Sequence, residues 1–318
     1  MREQFSRRGF VGLCGTAWAA VLLTATGCSS DDTGDAAGTE KPVTIRHIFG
    51  ETIVPAPPTR VVCAGYTGQD DLLALGVVPI ALTDWFGGQP FGVWPWAQPL
   101  LGDAKPVLLS LDDGIPVKKI AELKPDLIVA TNAGVDEDTY RELSAIAPTL
   151  PQSGGAAFFE PWKVQAAMIG QAVHRARKMR TLVDGVDAKF AEAGSAHAGF
   201  ADKKVLLLAG RFEQDALAVT TGWRTGFLTS MGLSLADAPA AVAHDQLRSV
   251  LGGADVLIWT TESDDERNAL LADPDIAAVA SRSVFTTKDQ AGALAFASPL
   301  SYPVVADQLP TLIAKVLG

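Results

Sequence analysis

The sequence is poor in the residues that most often carry out chemistry. Its 318 residues include only 3 cysteines, 4 histidines and 3 tyrosines. No G-x-S-x-G, H-E-x-x-H, P-loop or C-x-x-C pattern occurs, so the common signatures of hydrolases, zinc proteases, NTPases and thiol redox proteins are missing. The histidines are scattered and show no ligand spacing. We therefore expect a protein that is not an enzyme and needs neither a metal nor a cofactor of its own.

Positive charge is also scarce. The chain carries 26 Lys and Arg against 36 Asp and Glu, a formal net charge of −10. The first 27 residues contain three of those arginines and one of those acids, so the remainder stands at −12. Binding to phosphate groups requires a basic face. The net charge therefore argues against nucleic acid or anionic lipid as a partner.

The N-terminus is typical of a bacterial export signal over residues 1–27. Ser6-Arg7-Arg8-Gly9-Phe10-Val11 matches the twin-arginine pattern. The uncharged apolar run that follows has ~16 residues, fewer than a membrane-spanning helix needs. Ala25-Thr26-Gly27-Cys28 resembles a lipobox, which predicts cleavage before Cys28 and lipidation of its thiol. An uncleaved anchor and an ordinary secretory signal are the alternatives.

Residues 28–41 contain no large apolar side chain and are predicted to form a flexible tether between the lipid and the folded protein. The protein would then be held on the outer face of the cell membrane. With Cys14 removed and Cys28 lipidated, Cys63 is left without a disulfide partner. It lies in an apolar run, which predicts a buried, inert thiol.

Beyond the tether, short apolar runs alternate with helical stretches. A β-hairpin is predicted near residues 43–54, and strand–helix repeats fill both 42–160 and 201–318. Residues 161–200 have no proline after the first position and show apolar residues at helical spacing, which predicts one long helix. The expected fold is α/β: two βαβ-type lobes joined by one long rigid backbone helix.

Six short segments occur along the chain in this order: Arg60-Val-Val-Cys-Ala-Gly65, Ala74-Leu-Gly-Val-Val-Pro79, Ile120-Ala-Glu-Leu-Lys-Pro-Asp-Leu-Ile128, Leu143-Ser-Ala-Ile-Ala-Pro-Thr149, Ala254-Asp-Val-Leu-Ile-Trp259 and Ser298-Pro-Leu-Ser-Tyr302. Together they resemble the cluster A-III substrate-binding proteins, which are the receptors of ABC importers for ferric siderophores, haem and cobalamin. The resemblance covers about residues 45 to 318. It implies a ligand cleft between the two lobes, which move only slightly when a ligand enters it.

Aromatic residues are concentrated in the segment from Trp85 to Trp96, which contains three tryptophans and two phenylalanines. Its glycines and prolines predict a loop. Large aromatic side chains on a loop could form the wall of a site for a bulky, flat ligand. Trp85 and Phe86, nearest the preceding strand, are the best candidates. The alternative is a loop that packs on its own lobe.

Ligands of open α/β sheets lie beyond the carboxyl ends of the strands. Candidate binding residues at such ends and in nearby turns are Tyr66, Thr67, Asn132, Arg211, Phe212, Trp223 and Arg224. Arg211 is the first choice, because a guanidinium can hydrogen-bond a chelate oxygen or a carboxylate. A surface ion pair with Glu213 or Asp215 is the alternative. The resemblance adds Tyr302, since that loop approaches the cleft in the family.

Few cleft arginines beside many aromatic residues favour a ferric hydroxamate or mixed siderophore over a highly anionic catecholate. Haem or a corrinoid is the alternative ligand, and Tyr66 or Tyr302 could bind haem iron as a phenolate. The resemblance also implies an ABC permease as partner, contacted by a carboxylate on each lobe. The corresponding residues are Asp245 and Lys118, the latter a charge reversal, with Asp112 and Asp113 just upstream. This reversal favours a further alternative, a sensor or cell-wall lipoprotein without transport.

Overall fold

An antiparallel hairpin opens the computed structural model, which describes residues 41–318. Strand β1 (Val43–His47) pairs with β2 (Gly50–Val54). Alternate side chains face the protein, so Ile45 and Val54 are buried while Ile53 is exposed. The predicted hairpin is confirmed. The predicted signal, Cys28 and all but the last residue of the predicted tether lie outside the described residues.

The first lobe is built on a parallel sheet of five strands in the order β5-β4-β3-β6-β7. Its elements are β3 (Val61–Cys63), α1 (Gly68–Leu75), β4 (Ala81–Thr83), β5 (Val107–Leu109), α2 (Val117–Glu122), β6 (Leu127–Val129), α3 (Glu137–Ser144) and β7 (Thr149–Leu150). The chain adds strands on one side of β3 and then returns to its other side. The carboxyl ends of β3 and β6 therefore flank the point where ligands enter such sheets.

Local signals in the sequence set the ends of these helices. Helix α1 ends at Gly76, whose φ of +79° closes the helix in the left-handed conformation. Helix α3 begins after Asp136, whose side chain accepts a hydrogen bond from the backbone N–H of Thr139. Cys63 on β3 is fully buried, and burial raises the pKa of its thiol to about 12. The prediction of a buried, inert thiol is confirmed.

The connection between the lobes contains two helices, α4 (Trp162–Ala172) and α5 (Ala176–Ala196). The chain turns between them at residues 173–175, where His174 has a φ of +56°. A Cβ on Gly170 would lie 2.7 Å from the Cβ of Met179, so the missing side chain allows the helices to pack closely at this corner. The prediction of one continuous helix over 161–200 is wrong, because its apolar residues belong to two helices. The long connecting helix is α5, about 30 Å in length.

The second lobe repeats the parallel arrangement with the strand order β10-β8-β12-β13, beside a separate two-stranded antiparallel sheet of β9 and β11. Its elements are β8 (Lys204–Ala209), β9 (Ala216–Ala218), α6 (Gly226–Ser230), β10 (Ser234–Leu235), β11 (Ala241–Ala243), α7 (Leu247–Gly252), β12 (Val256–Thr260), α8 (Asp264–Leu271), α9 (Pro274–Ala277), β13 (Ser283–Phe285), α10 (Lys288–Phe296) and α11 (Ser301–Leu317). The predicted α/β class, with two parallel sheets, is confirmed.

One apolar core runs through both lobes. It includes Leu72 of α1, Phe190 of α5 and Val256 of β12 in a single buried cluster. Because this core crosses from one lobe to the other, hinge motion would have to expose apolar surface. Within residues 41–318, no helix is both long enough and apolar enough to span a bilayer.

Candidate ligand-binding cleft

Two buried side chains hold together the loops that leave β3 and β6. The Nδ2 of Asn132 donates to the Oγ1 of Thr67 at 3.1 Å, and its Oδ1 accepts from the backbone N–H of Phe159 at 2.9 Å. A Cβ on Gly65 would lie 1.7 Å from the carbonyl oxygen of Thr131, so only glycine fits at this crossing. Thr67 and Asn132 line a small cavity at the base of the cleft. Both predicted candidates therefore lie where sequence reasoning expected them.

Tyr66 and Trp85 form the centre of an aromatic wall. Their ring centroids are 5.3 Å apart and stacked, and Phe158 lies 6.0 Å beyond Tyr66. Around Trp85 lie Phe86 at 4.6 Å, Phe159 at 5.4 Å and Phe296 at 5.6 Å. Sequence reasoning missed three of these rings. The adjacent pair Phe158-Phe159 after a glycine-rich turn was an available signal for two of them, whereas Phe296 ends α10, a helix that was not predicted.

The aromatic loop divides into two parts. Trp85 and Phe86 face the wall, whereas Trp94 is fully buried and stacks on Trp96 at 5.1 Å. A Cβ on Gly292 of α10 would lie 2.5 Å from the Trp94 ring, so the loop packs directly against a helix of the second lobe. Trp94 thus packs within the loop and against the second lobe, not on the first lobe as the alternative had it. The binding role of Trp85 and Phe86 stays a prediction.

Arg224 supplies the cation of the cleft. Its guanidinium carbon lies 4.7 Å from the centroid of Phe159 and 4.8 Å from that of Trp223. The Nε1 of Trp223 in turn donates to the backbone oxygen of Phe159 at 3.1 Å, which joins the second lobe to the first. Burial lowers the pKa of Arg224, although the group stays a strong base. Within the described part of the chain it forms no ion pair, so its charge is available to an anionic or oxygen-rich ligand.

A second cavity lies on the other side of Arg224. It measures about 180 Å³ and is lined by Phe86 from the first lobe and by Thr220, Thr260 and Glu262 from the second. Thr260 ends β12, which is a central strand of its sheet. The carboxyl ends of both sheets thus meet at Arg224, as the strand-end rule predicts.

Arg211 and Phe212 lie outside the cleft. The Arg211 side chain is 68% exposed and pairs with Glu213 at 3.7 Å and Glu266 at 3.9 Å. Phe212 packs on the core of the second lobe and contacts the ring of His244. The choice of Arg211 as the cleft cation is therefore corrected, because the structure shows a surface ion pair, the alternative reading of this residue. The two glutamates that pair with Arg211, Glu213 in the same loop and Glu266 on α8, hold its side chain at the surface.

Tyr302 lies behind the cleft. It is 3% exposed and packs edge-on against Trp162 and Phe190, at 5.3 and 5.5 Å. It lines a separate cavity of about 290 Å³, with Trp223 between this cavity and the cleft. Burial raises the pKa of its phenol, which disfavours the phenolate that a haem ligand would need. The expectation that Tyr302 approaches the ligand is corrected on this geometry.

A buried carboxylate joins α1 to the loop that precedes α11. The Oδ2 of Asp70 accepts from the Nε1 of Trp96 at 2.8 Å and from the Oγ of Ser298 at 2.6 Å. Burial raises the pKa of Asp70 to about 6, although both hydrogen bonds lower it. The neighbouring Asp71 accepts from Gln165 at 2.8 Å, and burial raises its pKa as well. These carboxyl groups help to fix the lobes against each other.

The raised pKa of Asp70 predicts a pH-dependent stability. The folded state holds the Asp70 proton more tightly than the unfolded state does, because its pKa is higher. The resulting stabilisation of the folded state is complete below about pH 4 and is lost as the pH rises through about 6. Relative to Asp70→Asn, the unfolding free energy of the unmodified protein should therefore fall by about 2 kcal/mol between pH 4 and pH 7. Urea unfolding at several pH values measures this. Asp84→Asn, at an exposed position, is the control, and parallel curves for the protein and Asp70→Asn would refute the prediction.

The residues expected to contact a permease lie on the surface of both lobes. Lys118 is exposed on α2, and Asp245 is exposed in a short 3-10 turn before α7. Asp112 and Asp113 are exposed in the turn before α2. Within residues 41–318, no group of three or more His, Cys, Asp or Glu side chains is placed to hold a metal ion.

Two α/β lobes facing each other across a cleft, with strand ends and an aromatic wall directed into it, define a solute receptor of the two-lobe type. The profile of the family described as "Periplasmic binding protein" matches residues 61–291. The chain therefore belongs to the periplasmic binding protein family.

Individual relatives agree with this assignment. A crystal structure of a periplasmic solute binding protein from Mycobacterium smegmatis is 61% identical, with a TM-score of 0.86, and the match covers 87% of this chain and 99% of that one. The probable siderophore-binding lipoprotein YfiY of Bacillus subtilis is 32% identical over 177 residues, which is 55% of this chain and 51% of YfiY. The chain thus spans about half the length of that curated relative.

A more distant structure shares the fold alone. Streptococcus pneumoniae PiaA in complex with ferrichrome is 22% identical, with a TM-score of 0.69, over 86% of this chain and 98% of that one.

Proposed function

We propose that the protein binds a ferric siderophore in the cleft between its lobes and delivers it to an ABC importer. The observation that carries this proposal is Arg224, a cation without a carboxylate partner in the described chain, stacked on Phe159 beside the aromatic wall. The relatives support the same ligand class, because YfiY is described as a probable siderophore-binding lipoprotein and PiaA was crystallised in complex with ferrichrome.

The chemistry of the cleft suits a ferric chelate of low charge. Such a ligand presents a broad organic shell, with metal-bound oxygens exposed at one side. The wall formed by Tyr66, Trp85 and Phe158 offers apolar contact to the shell, and the guanidinium of Arg224 can donate to the oxygens. One cation among many rings favours a hydroxamate or mixed siderophore, because a triply charged catecholate would need more positive charge.

Contacts between the lobes favour a cleft that is largely formed before the ligand arrives. The Nζ of Lys288 on α10 donates to the backbone oxygen of Gly87 at 2.6 Å, and Ser298 donates to Asp70. With Trp94 packed against Gly292, these contacts tie the aromatic loop to the second lobe. A pre-formed site avoids the ordering cost of closing around the ligand.

Tryptophan fluorescence tests the ligand class. We expect saturable quenching by a ferric hydroxamate and weak or no response to the iron-free chelator. Because Trp85 is central in the wall, Trp85→Phe should remove a large part of the quenching, whereas Trp259→Phe should retain it. Trp259 is the control because it is fully buried in the second lobe and stacks on Phe285 at 6.0 Å. Binding of haem alone, with a shifted Soret band, would contradict the siderophore proposal. No change in tryptophan fluorescence with any of these ligands would favour a sensor.

The lipid tether has its own test. We propose that a lipid on Cys28 holds the protein at the outer face of the cell membrane after twin-arginine export. After a high-salt wash, Cys28→Ser should then move the protein from the membrane fraction to the soluble fraction, because a protein surface alone binds a membrane more weakly than an inserted lipid and salt screens its charges. Ser29→Ala, next to the cysteine, is the matched control and should leave the protein with the membrane. Continued membrane retention of Cys28→Ser would contradict the anchor.

Docking to the permease is proposed to use the exposed surfaces around Lys118 and Asp245. Because Lys118 is positive and Asp245 is negative, the first and second lobes present opposite charges to the permease. Asp112 and Asp113, exposed just before α2, offer the first lobe a carboxylate near the reversed position. The proposed contact is therefore asymmetric.

A further inference from the structure

The first turn of α5 has an unusual charge. Arg177, Lys178 and Arg180 are all exposed there, and the turn contains no acidic residue. Cations at a helix N-terminus oppose the helix dipole and destabilise the helix. Their placement is also unexpected in a chain with a net charge of −10. The charge cluster does not stabilise the helix, which favours a role in contacting a partner.

The cluster lies beside the start of the described chain. Arg177 lines an open cavity of about 620 Å³ together with Lys41, Val43 and Thr44. Thr44 pairs across the hairpin with Ile53, whose side chain is 54% exposed. Cations and an exposed isoleucine thus surround the place where the predicted tether enters the lobe. We call Lys41, Ile53, Arg177, Lys178 and Arg180 the tether-side patch.

The charges of the patch are not neutralised by the rest of the folded chain. Across residues 41–318, none of its four cations forms an ion pair. Basic residues elsewhere on the surface do: Lys163 pairs with Asp187, and Lys189 pairs with Asp307. Within residues 41–318 the patch therefore presents positive charge that no carboxylate pairs with directly.

The patch also lies at the end of the first lobe remote from the cleft. The guanidinium of Arg175, which precedes α5, donates to the backbone oxygen of Leu75 at the C-terminal end of α1. The other end of α1 follows directly after the cleft residues Tyr66 and Thr67. A partner seated on the patch would therefore leave the cleft open.

We propose that the tether-side patch docks on the anionic phospholipid headgroups of the membrane surface. The inference rests on the proposed function only in placing the protein at a membrane. Basic residues near an anionic bilayer each strengthen attachment by about fivefold, and an exposed isoleucine can enter the headgroup region. The negative net charge does not prevent this, because charges more than about 10 Å away are screened by salt. The net-charge argument against anionic lipid concerns the whole chain, and the proposed patch is a local exception to it.

Vesicle sedimentation of the non-lipidated Cys28→Ser protein tests the proposal. The protein should bind vesicles of phosphatidylglycerol and phosphatidylcholine in equal parts, release at high salt, and ignore phosphatidylcholine alone. A variant with Arg177→Glu, Lys178→Glu and Arg180→Glu should bind at least about 100-fold more weakly. A control with Lys105→Glu, Lys204→Glu and Lys315→Glu, all exposed, changes the net charge equally and should retain most of the binding.

Three results would overturn the proposal. They are no binding to the anionic vesicles, equal binding to both vesicle types, and equal losses in the two triple variants. The acidic predicted tether, with Asp31, Asp32 and Asp35, is the competing occupant of the patch. If vesicle binding appeared only after these aspartates were neutralised, the occupant of the patch would be the tether and not the membrane.

The same variants separate this inference from the proposed function. Their titration with ferric hydroxamate should match that of the unmodified protein, because the patch lies away from the cleft. Vesicle binding without chelate binding would refute the siderophore proposal alone. Chelate binding without vesicle binding would refute the docking inference alone.

Discussion

Arg224→Ala should weaken the binding of ferric hydroxamate about 10- to 150-fold, which corresponds to about 1.5 to 3 kcal/mol. The guanidinium lies between the rings of Phe159 and Trp223, where water competes poorly for its hydrogen bonds. No carboxylate of the described chain forms an ion pair with it, so its N–H groups can donate to the ligand. Isothermal titration with the ferric chelate measures the loss.

Two further variants sharpen this test. Arg211→Ala is the matched control: it removes the same side chain from a surface ion pair, and binding should change less than about twofold. Arg224→Lys keeps the charge but loses the planar stack on Phe159, so its affinity should lie between those of the protein and Arg224→Ala. A larger loss from Arg211→Ala than from Arg224→Ala would contradict the assignment of the cleft.

Trp94→Ala should lower the free energy of unfolding by about 3 to 5 kcal/mol, the usual cost of removing a large buried aromatic side chain. Trp94 is fully buried and lies against Trp96, Phe86, Phe296 and the backbone at Gly292. Its loss would leave a cavity between the aromatic loop and α10. Urea unfolding followed by circular dichroism measures the change.

Phe91→Ala is the control for Trp94→Ala. Phe91 belongs to the same loop but is 37% exposed, so its removal should cost about 1 kcal/mol or less. If Trp94→Ala cost no more than Phe91→Ala, the loop would be independent of the second lobe. The cleft would then not be pre-formed in the way proposed here.

Periodicity in the sequence predicted most of the fold because the parallel strands are buried and short. Runs such as Leu127–Val129 and Val256–Thr260 are apolar throughout and are bounded by turn residues. The break between α4 and α5 escaped prediction because no proline marks it, and the mostly polar residues 174–178 are equally compatible with the exposed face of a continuous helix. It depends on the contact between Gly170 and Met179, which is a tertiary feature.

The location of the site could be predicted from the sequence, but only some of its residues could. The strand-end rule indicated Tyr66, Thr67 and Asn132 because their position depends only on sheet topology. It could not give the direction of Arg211, whose side chain is held at the surface by Glu213 and Glu266, the second of which is distant in sequence. Phe296 was missed because α10, with buried residues on all sides, shows no amphipathic periodicity.

The most direct test of the account is the position of iron in crystals of the protein grown with a ferric hydroxamate. Anomalous scattering at the iron edge locates the metal without any assumption about the organic shell. We expect one iron peak in the cleft, between the Trp85 wall and the guanidinium of Arg224. A peak in the cavity bounded by Trp162 and Tyr302, or no peak in crystals saturated with a chelate that binds in solution, would contradict the proposed site.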